Sequence, residues 1–457
     1  MLAQIEAINS AVNGVVWGPI MLVLLVGTGI YLTFRPRGLQ ARRFGFILRN
    51  TIGTLFSKDK KKSGSQHNLT PFQAVSTALA GTVGTGNIAG VTGAIFVGGP
   101  GAVFWMWVSA FFGMMTKYAE IVLSVKYRQV DEKGAHYGGP MYYIEKGAGQ
   151  KWLAILFALL GGIACFGIGN IAQSTEIAGA VQSLTGLDPL YTGIILAILT
   201  AIVVIGGVKR IGQVASYLVP FMAMFYIVAG LAIIVLRITD VPAALASIFT
   251  QAFSLEPREI GGGVAGYTIM ISMQQGVARG VFSNEAGLGS APMAHAASDT
   301  QEPVEQGMWG VFEVFVDTIV ICTLTSMAIL LSGVLEYDLS SFASNGAAAA
   351  AAFNAILPGT IGGTVLQISL LFFALSTILG WSYYGERCWG YLSNNNKVVN
   401  AIFKIAFVLM CVVGSVGSGT LMWNISDTLN GMMAIPNLVG LLLLSGTVIR
   451  LTREYFD

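Results

Sequence analysis

Charge is what this sequence has least of. Of its 457 residues only 11% are Asp, Glu, Lys or Arg, while 54% are hydrophobic. A soluble domain carries about 25% charged residues, so a surface facing water all round is excluded. A lipid bilayer as solvent explains the deficit, because a charge at its midplane costs roughly 2.5–3.5 kcal/mol on insertion scales. Cysteine is also scarce: Cys165, Cys322, Cys388 and Cys411 sit in apolar stretches without paired spacing. That excludes a disulfide framework or a cysteine metal site and leaves small buried hydrophobes. His67, His136 and His295 lie far apart and outside the apolar runs, which excludes a histidine-built metalloenzyme centre. Residues 1–16 lack a basic stretch and carry Glu6, so no cleavable leader is expected. The net charge of +2 says little about partners.

Apolar runs, by contrast, are abundant. A membrane-crossing helix needs about 20 mostly apolar residues. Eleven runs qualify, near 15–34, 72–97, 102–127, 152–184, 190–208, 214–236, 262–281, 307–335, 365–392, 398–416 and 421–449. The last contains Gly431 and Pro436, which predict a bend. Helical periodicity at 242–253 and 340–353 predicts two short helices on the outer surface. For the alanine run at 347–352 a low-complexity linker is the alternative. No separate soluble domain is expected.

Basic residues orient the chain, since cytoplasmic loops carry the excess of Lys and Arg. Arg35, Arg37, Arg42, Arg43, Arg49, Lys58, Lys60, Lys61 and Lys62 follow the first run, which predicts an inner loop and an outer N-terminus. Alternation over eleven spans then puts Lys126, Arg128, Lys133, Lys146, Lys151, Lys209, Arg210, Lys397, Arg450 and Arg453 inside. Only Arg237 and Arg258 fall outside.

Two runs are interrupted. The second contains Ala80-Gly81-Thr82-Val83-Gly84-Thr85-Gly86-Asn87. Non-helical backbone at membrane depth is tolerated only where it is buried in protein or lines a watery cavity. Close packing through small residues is the alternative, but Gly81, Gly84 and Gly86 do not share a face at the spacing of four such packing uses, which favours a break. The seventh run contains Ser272-Met273-Gln274-Gln275-Gly276-Val277-Ala278-Arg279-Gly280, and a second break is expected there. Five spans separate the two, so they face opposite ways in the membrane. This predicts an inverted repeat, 70–239 and 240–457, with an extra helix and basic loop at 1–69 outside it. Half-helix N-termini offer N–H groups to a carboxylate. Freed carbonyls attract an ammonium group or a metal cation. Such a site suits a zwitterion and needs no charged side chain.

At these residues the sequence resembles the alanine/glycine:cation symporters, the AgcS-type sodium:alanine symporter family. Gly81-Thr-Val-Gly-Thr-Gly-Asn-Ile-Ala-Gly90, Gly101-Ala-Val-Phe-Trp-Met-Trp-Val-Ser-Ala-Phe-Phe-Gly113 and Phe282-Ser-Asn-Glu-Ala-Gly-Leu-Gly-Ser290 carry the resemblance, which runs over most of the chain. It implies an all-α LeuT-type fold: eleven transmembrane helices, of which ten form a five-plus-five inverted repeat with two broken helices. It also implies co-transport of sodium with alanine or glycine, and no organic cofactor. By the same resemblance a sodium ion lies against the carbonyls of Ala80 and Val83 and the hydroxyls of Ser376 and Thr377. The substrate carboxylate lies on the amides of Thr85 and Gly86, within a segment that also contributes Thr82 and Asn87. Oxygen-only ligation suits a hard cation. Without the resemblance, Ser376 and Thr377 read as hydroxyls bonded back to their own helix.

Gly162, Phe166, Gly169, Asn170 and Gln173 recur at steps of three and four and form one stripe on a helix. Phe166 and Asn170 either meet the substrate there or, for Asn170, make an interhelical bond. Ser272, Met273, Gln274 and Gly276 are expected to complete the pocket, with Met273 and Phe166 leaving room for little beyond a methyl group. Lys117 with Glu120, and Glu313 with Asp317, read as snorkelling or structural pairs near the inner ends of their spans. Arg279 reads as an ion-pair partner closing the inner side; Glu176 and Asp427 have no role assigned. Trp105 and Trp107 read as packing or interface anchors.

An enzyme would need a nucleophile–base pair or metal ligands within reach of each other, and a channel would want rings of like groups. The sequence offers neither. The expectation is a cell-membrane symporter for small amino acids, whose partners are the substrate and the bilayer and not nucleic acid. Proton drive is the alternative ion, disfavoured because the run at 214–236 has no lysine to stand in for a cation.

Overall fold

The computed structural model describes residues 2–56, 67–260, 263–417 and 419–457; Lys58, Lys60, Lys61 and Lys62 lie outside the described residues. Helices α1 (Leu2–Val16) and α2 (Pro19–Phe34) lead into two short helices, Leu39–Arg42 and Phe44–Asn50. Helix α3 (Pro71–Thr82) starts on a capping box: Gln73 N–H donates to Thr70 Oγ1 and Thr70 N–H to Gln73 Oε1, both at 3.1 Å, with Pro71 at the first helical position. After it come a wide π turn (Gly86–Gly90), α4 (Val91–Gly98) and α5 (Gly101–Lys126). The segment Gly86–Gly98 is bent by 49° from α3.

Helices α6 (Lys151–Phe166) and α7 (Ala172–Thr185) form one span through a π turn at Gly167–Ile171. Then follow α8 (Pro189–Val204), capped by Asp188 Oδ1 on Leu190 N–H at 2.9 Å, α9 (Gly207–Leu236) and α10 (Val241–Ala252). Helices α11 (Thr268–Asn284) and α12 (Pro292–Ala296) are separated by non-helical chain. Helices α13 (Pro303–Val314) and α14 (Thr323–Ser332) join through a π stretch at Phe315–Cys322. Last come α15 (Asn345–Ile356), α16 (Ile361–Leu392), α17 (Lys397–Val416) and α18 (Gly419–Phe456), which carries Gly431 and Pro436 within a single helix. The alanine run falls in α15, whose start Ser344 caps through Oγ on Ala347 N–H at 3.1 Å. Antiparallel hairpins pair Gln129–Val130 with His136–Tyr137 and Pro257–Ile260 with Gly263–Tyr267.

Among the described residues, eight helices are long and apolar enough to cross a membrane, and a ninth crossing follows if the bent pair Pro71–Thr82 and Gly86–Gly98 is one span. The expected spans at 190–208 and 262–281 form the shorter helices α8 and α11, of 16 and 17 residues. Large apolar side chains are exposed along one face of α8 (Ile195, Ile198, Ile202), of α9 (Phe221, Met224, Val228) and of α17 (Ile402, Ile405, Leu409). In water such patches would be a liability; hydrocarbon covers them at no cost.

Helix α3 packs against α16. A Cβ on Gly380 would lie 2.7 Å from Gly81 N, so the two backbones touch where neither helix carries a side chain. This approach sets the hydroxyls of α16 beside the end of α3.

Three expectations need correction. The seventh run is not broken at 272–280: α11 passes through it unbroken, and the interruption is the following segment, 285–291. His295 is fully buried rather than outside the core. Lys117, Glu120, Glu313 and Asp317 are fully buried, which rules out snorkelling and leaves structural pairing, with Lys117 paired to Glu313 and not to Glu120. Lys117 Nζ meets Glu313 Oε1 at 3.3 Å, and Glu313 Oε2 meets His295 Nε2 at 3.1 Å. Gln306 Oε1 accepts from Ser298 and Thr300, so its Nε2 donates to His295 Nδ1 at 2.7 Å, and His295 turns its Nε2–H toward Glu313.

Candidate functional site

Helix α3 ends because its next N–H groups are taken by side chains. Val83 leaves the helical region with φ −76° and ψ 93°. Gly84 N–H, which in a continuing helix would bond the Ala80 carbonyl, donates to Asn87 Oδ1 at 2.9 Å. Thr85 N–H, which would bond Gly81, donates to Gln173 Oε1 on α7 at 3.3 Å. The carbonyls at the end of α3 thereby lose their helical partners. Position 84 admits no side chain, since a Cβ would lie 2.4 Å from Thr377 Oγ1.

Beside this turn stands the hydroxyl pair of α16. Ser376 Oγ and Thr377 Oγ1 each lie 3.5 Å from the Val83 carbonyl oxygen, and 2.8 and 2.9 Å from that of Phe373. Four oxygens therefore crowd one buried spot, Ser376 at 0% and Thr377 at 2% exposure. The hydroxyls do bond back to their own helix, and they also face the released carbonyl. Donors of this hard, neutral kind suit an alkali cation.

On the other side of the turn, Asn87 Nδ2 donates to Asp317 Oδ1 at 2.7 Å and to the Asp317 carbonyl at 3.2 Å. Asp317 Oδ2 accepts from Ser283 Oγ at 2.9 Å and Thr318 Oγ1 at 2.8 Å. Asp317 sits in the π stretch between α13 and α14, whose wider turn brings it to face both breaks. Asn87 is thus the hub that ties α3, the turn and the α13–α14 junction together.

The second break follows Asn284. Glu285, Gly287 and Gly289 take φ of +56°, +95° and +81°. The alternation forms a concave nest of N–H groups, and a resident carboxyl group fills it: Glu120 Oε1 accepts Gly287 N–H and Gly289 N–H, each at 3.1 Å, and Asn437 Nδ2–H at 2.6 Å. Glu285, strained at positive φ, is held by Trp381 Nε1 at 2.8 Å and by Ser290 Oγ. The ring of Phe282 closes on the first break, its Cδ1 3.1 Å from where a Cβ on Gly86 would stand.

The residues expected for the site divide accordingly. Ala80, Val83, Thr85, Gly86, Asn87, Ser376 and Thr377 come together around the first break. Thr82 is buried there, with its hydroxyl bonded to its own helix at Ala78, 3.3 Å away. Asn170 turns away: its Nδ2 donates to the Phe407 carbonyl of α17 at 2.7 Å, the interhelical bond that was its alternative. Phe166 packs on Phe403 and Phe407, with ring centroids at 5.5 and 6.1 Å. Ser272, Met273, Gln274 and Gly276 lie in unbroken helix, where no backbone group is freed. Ser272 Oγ bonds the Gly98 carbonyl, and Gln274 Nε2 the Trp17 carbonyl at 3.3 Å. Gly276 packs on α5, where a Cβ would lie 2.2 Å from the Ala102 carbonyl. Arg279 pairs with Asp427 at 2.9 Å, ahead of the second break instead of beyond it.

Sequence reasoning passed over Gln173, Phe282, Ser283, Asp317 and Trp381. Gln173 was on the stripe with Asn170, and Phe282 and Ser283 open the segment 282–290, so the signal was present. Thr85 Oγ1 is buried with no hydrogen-bond partner among the described residues.

Residues 2–457 match the sodium:alanine symporter family. The sodium/alanine symporter AgcS of Methanococcus maripaludis is 48% identical over 452 residues, covering 98% of this chain and 96% of that one. A putative sodium/proton-dependent alanine carrier protein of Bacillus subtilis, YrbD, is 36% identical over 458 residues, covering 98% and 91%. In fold the chain is similar to the crystal structure of MhsT in complex with L-phenylalanine, with TM-score 0.59 and 15% identity over 86% of this chain and 99% of that one. With a family match along residues 2–457 and a whole-length match to a sodium/alanine symporter, the multi-pass chain is a secondary transporter: it belongs to the sodium:alanine symporter family.

Proposed function

We propose that this protein couples sodium influx to uptake of the small neutral amino acids alanine and glycine by alternating access. One observation carries the reading: the hydroxyls of Ser376 and Thr377 face the released Val83 carbonyl at 3.5 Å, two residues from Thr85, whose amide also lies off the helix. A cation at the first and a substrate carboxylate at the second share one turn, so each ligand favours the other without a long relay. The amides of the second break are held by the Glu120 carboxyl group, whereas the Thr85 amide at the first is held only by the longer bond to Gln173 Oε1, which a substrate carboxylate would displace. The Phe282 ring against Gly86 favours a small side chain. Sodium is preferred to a proton because the oxygens facing Val83 are neutral and α9 carries no lysine after Arg210.

The same reading includes the architecture. The eight long helices, the bent pair, α8 and α11 make eleven crossings. The extra helix and basic loop at 1–69 precede two inverted five-helix halves, 70–239 and 240–457, with the N-terminus outside and the C-terminus in the cytoplasm of a plasma-membrane protein. In that orientation Arg279–Asp427 lies on the outer side of the second break.

The test is uptake of labelled alanine and glycine into proteoliposomes with an imposed sodium gradient. Accumulation that collapses when sodium is replaced by choline is expected. Equal uptake in choline overturns the coupling ion, and no saturable uptake of either amino acid overturns the substrate.

A further inference from the structure

Where α2 and α18 end together, six arginines surround two adjoining cavities. Arg35 follows the last residue of α2, and Arg37, Arg42 and Arg43 lie on the turn and short helix after it. Arg450 and Arg453 lie near the end of α18. One cavity, of about 300 Å³, is lined by Arg35, Arg37, Arg42, Arg43 and Arg453, and also by Phe456 and the acidic Asp457. The second, of about 350 Å³, is lined by Arg35, Gly446, Ile449, Arg450, Arg453 and Glu454.

These positive charges have little to answer them. Arg450 reaches Glu454 only at 3.9 Å, with both side chains more than 60% exposed. Among the described residues no carboxylate lies within ion-pair distance of the other five. The cluster is nonetheless built: Arg43 stacks over Phe456 at 5.3 Å and Arg35 over Tyr31 at 5.7 Å. Arg37 takes φ +61°, unusual for a non-glycine residue, in the turn that brings the four arginines after α2 together. Six guanidinium groups against the acidic side chains of Glu454 and Asp457 leave positive charge in excess, which calls for a further anion, and their planar forks fit phosphate oxygens two at a time.

The surroundings say where that phosphate comes from. Both apolar spans end at this level, Glu6–Phe34 and Asn424–Phe456, so the cavities open at the membrane–water boundary. Gly446 has no heavy atom within 4 Å of where its Cβ would stand, which leaves the second cavity open along α18. One turn away, Leu442 and Leu443 are 37% and 58% exposed. A phosphate seated among the arginines would leave an attached acyl chain lying on that apolar face.

We propose that these cavities bind the phosphate headgroup of an anionic membrane phospholipid. Basic pockets between membrane helices recognise such headgroups, at about 1 kcal/mol, or roughly fivefold in affinity, for each arginine near the surface. Arginines that merely snorkel to the boundary would do without the cavity; a bound headgroup needs it.

The test uses the full-length protein in detergent. Native mass spectrometry reads retention of dioleoyl-phosphatidylglycerol against dioleoyl-phosphatidylcholine. Retention of the anionic lipid and not the zwitterionic one is expected, weakened about a hundredfold by the triple change Arg37→Gln, Arg43→Gln, Arg453→Gln. Gly446→Leu keeps every charge and fills the cavity, so it should also release the lipid. Equal retention of the two lipids overturns the proposal, as does retention unchanged by Gly446→Leu. Inorganic phosphate serves as the last probe. A rise in melting temperature with millimolar phosphate that matches the lipid and depends on the same arginines would overturn the membrane source.

Discussion

Asn87 donates to Asp317 at 2.7 Å while its carbonyl oxygen caps Gly84 N–H at 2.9 Å, so one amide holds both faces of the first break. Asn87→Asp preserves the shape but puts a second carboxyl against Asp317 and removes the donor. Leaving a buried polar group without its hydrogen-bond partner costs about 1–3 kcal/mol. Asn87→Asp should therefore lower both the melting temperature and alanine uptake at least tenfold in rate at fixed substrate. Wild-type uptake by this variant would remove Asn87 from its role as hub.

Ser376 and Thr377 test the cation. The double change to alanine deletes two oxygens while the carbonyls of Val83 and Phe373 remain. At about 1.5–3 kcal/mol per charged contact, the half-saturating sodium concentration should rise tenfold or more. Alanine affinity at saturating sodium should change far less. A sodium titration that does not shift would show that the hydroxyls serve only their own helix.

Gln173 and Asn170 separate site from scaffold. They are three residues apart, yet Gln173 touches the Thr85 amide and Asn170 the Phe407 carbonyl of α17. Gln173→Ala should weaken alanine binding measured by calorimetry. Asn170→Ala should leave affinity near wild type and lower the melting temperature instead. The reverse pattern would put the substrate on the α17 side.

Topology is open to labelling because the four native cysteines, Cys165, Cys322, Cys388 and Cys411, are buried and free. Thr239→Cys, in the exposed turn before α10, should react with an impermeant maleimide on intact cells. Asn395→Cys, in the exposed turn between α16 and α17, should react only after permeabilisation. Labelling of position 395 from outside would invert the proposed orientation.

The first break was readable because glycine, threonine and asparagine at 80–87 leave few other uses for such a run inside a membrane. The second was misplaced by about a helix turn and a half or more, and the reason is physical. Gln274 and Arg279 look disruptive in isolation, but Trp17 and Asp427, hundreds of positions away or nearly so in sequence, satisfy them, and the helix runs on. The true break depends on Glu120 reaching Gly287 and Gly289 from α5, which no local pattern announces. His295 was misjudged for the same reason, since its partners Gln306 and Glu313 lie on another helix. Periodicity put Asn170 and Gln173 on one stripe, but the angle between them decides which of two neighbours each meets.

Glu120 also bears on the half of a turnover in which a carrier travels without cargo. A break whose amides wait for a passenger would be left bare on that leg, and bare amides in a dry interior favour rewinding the helix. The Glu120 carboxyl group rides with the protein, so the amides of the bend at 285–291 have a partner that does not depend on cargo. Its cousin at 83–87 has no such resident carboxyl group on the Thr85 amide, only the neutral Gln173. If substrate binds the first break as proposed, one joint stays set while the other responds to loading, and the empty carrier would reset through the joint that cargo controls.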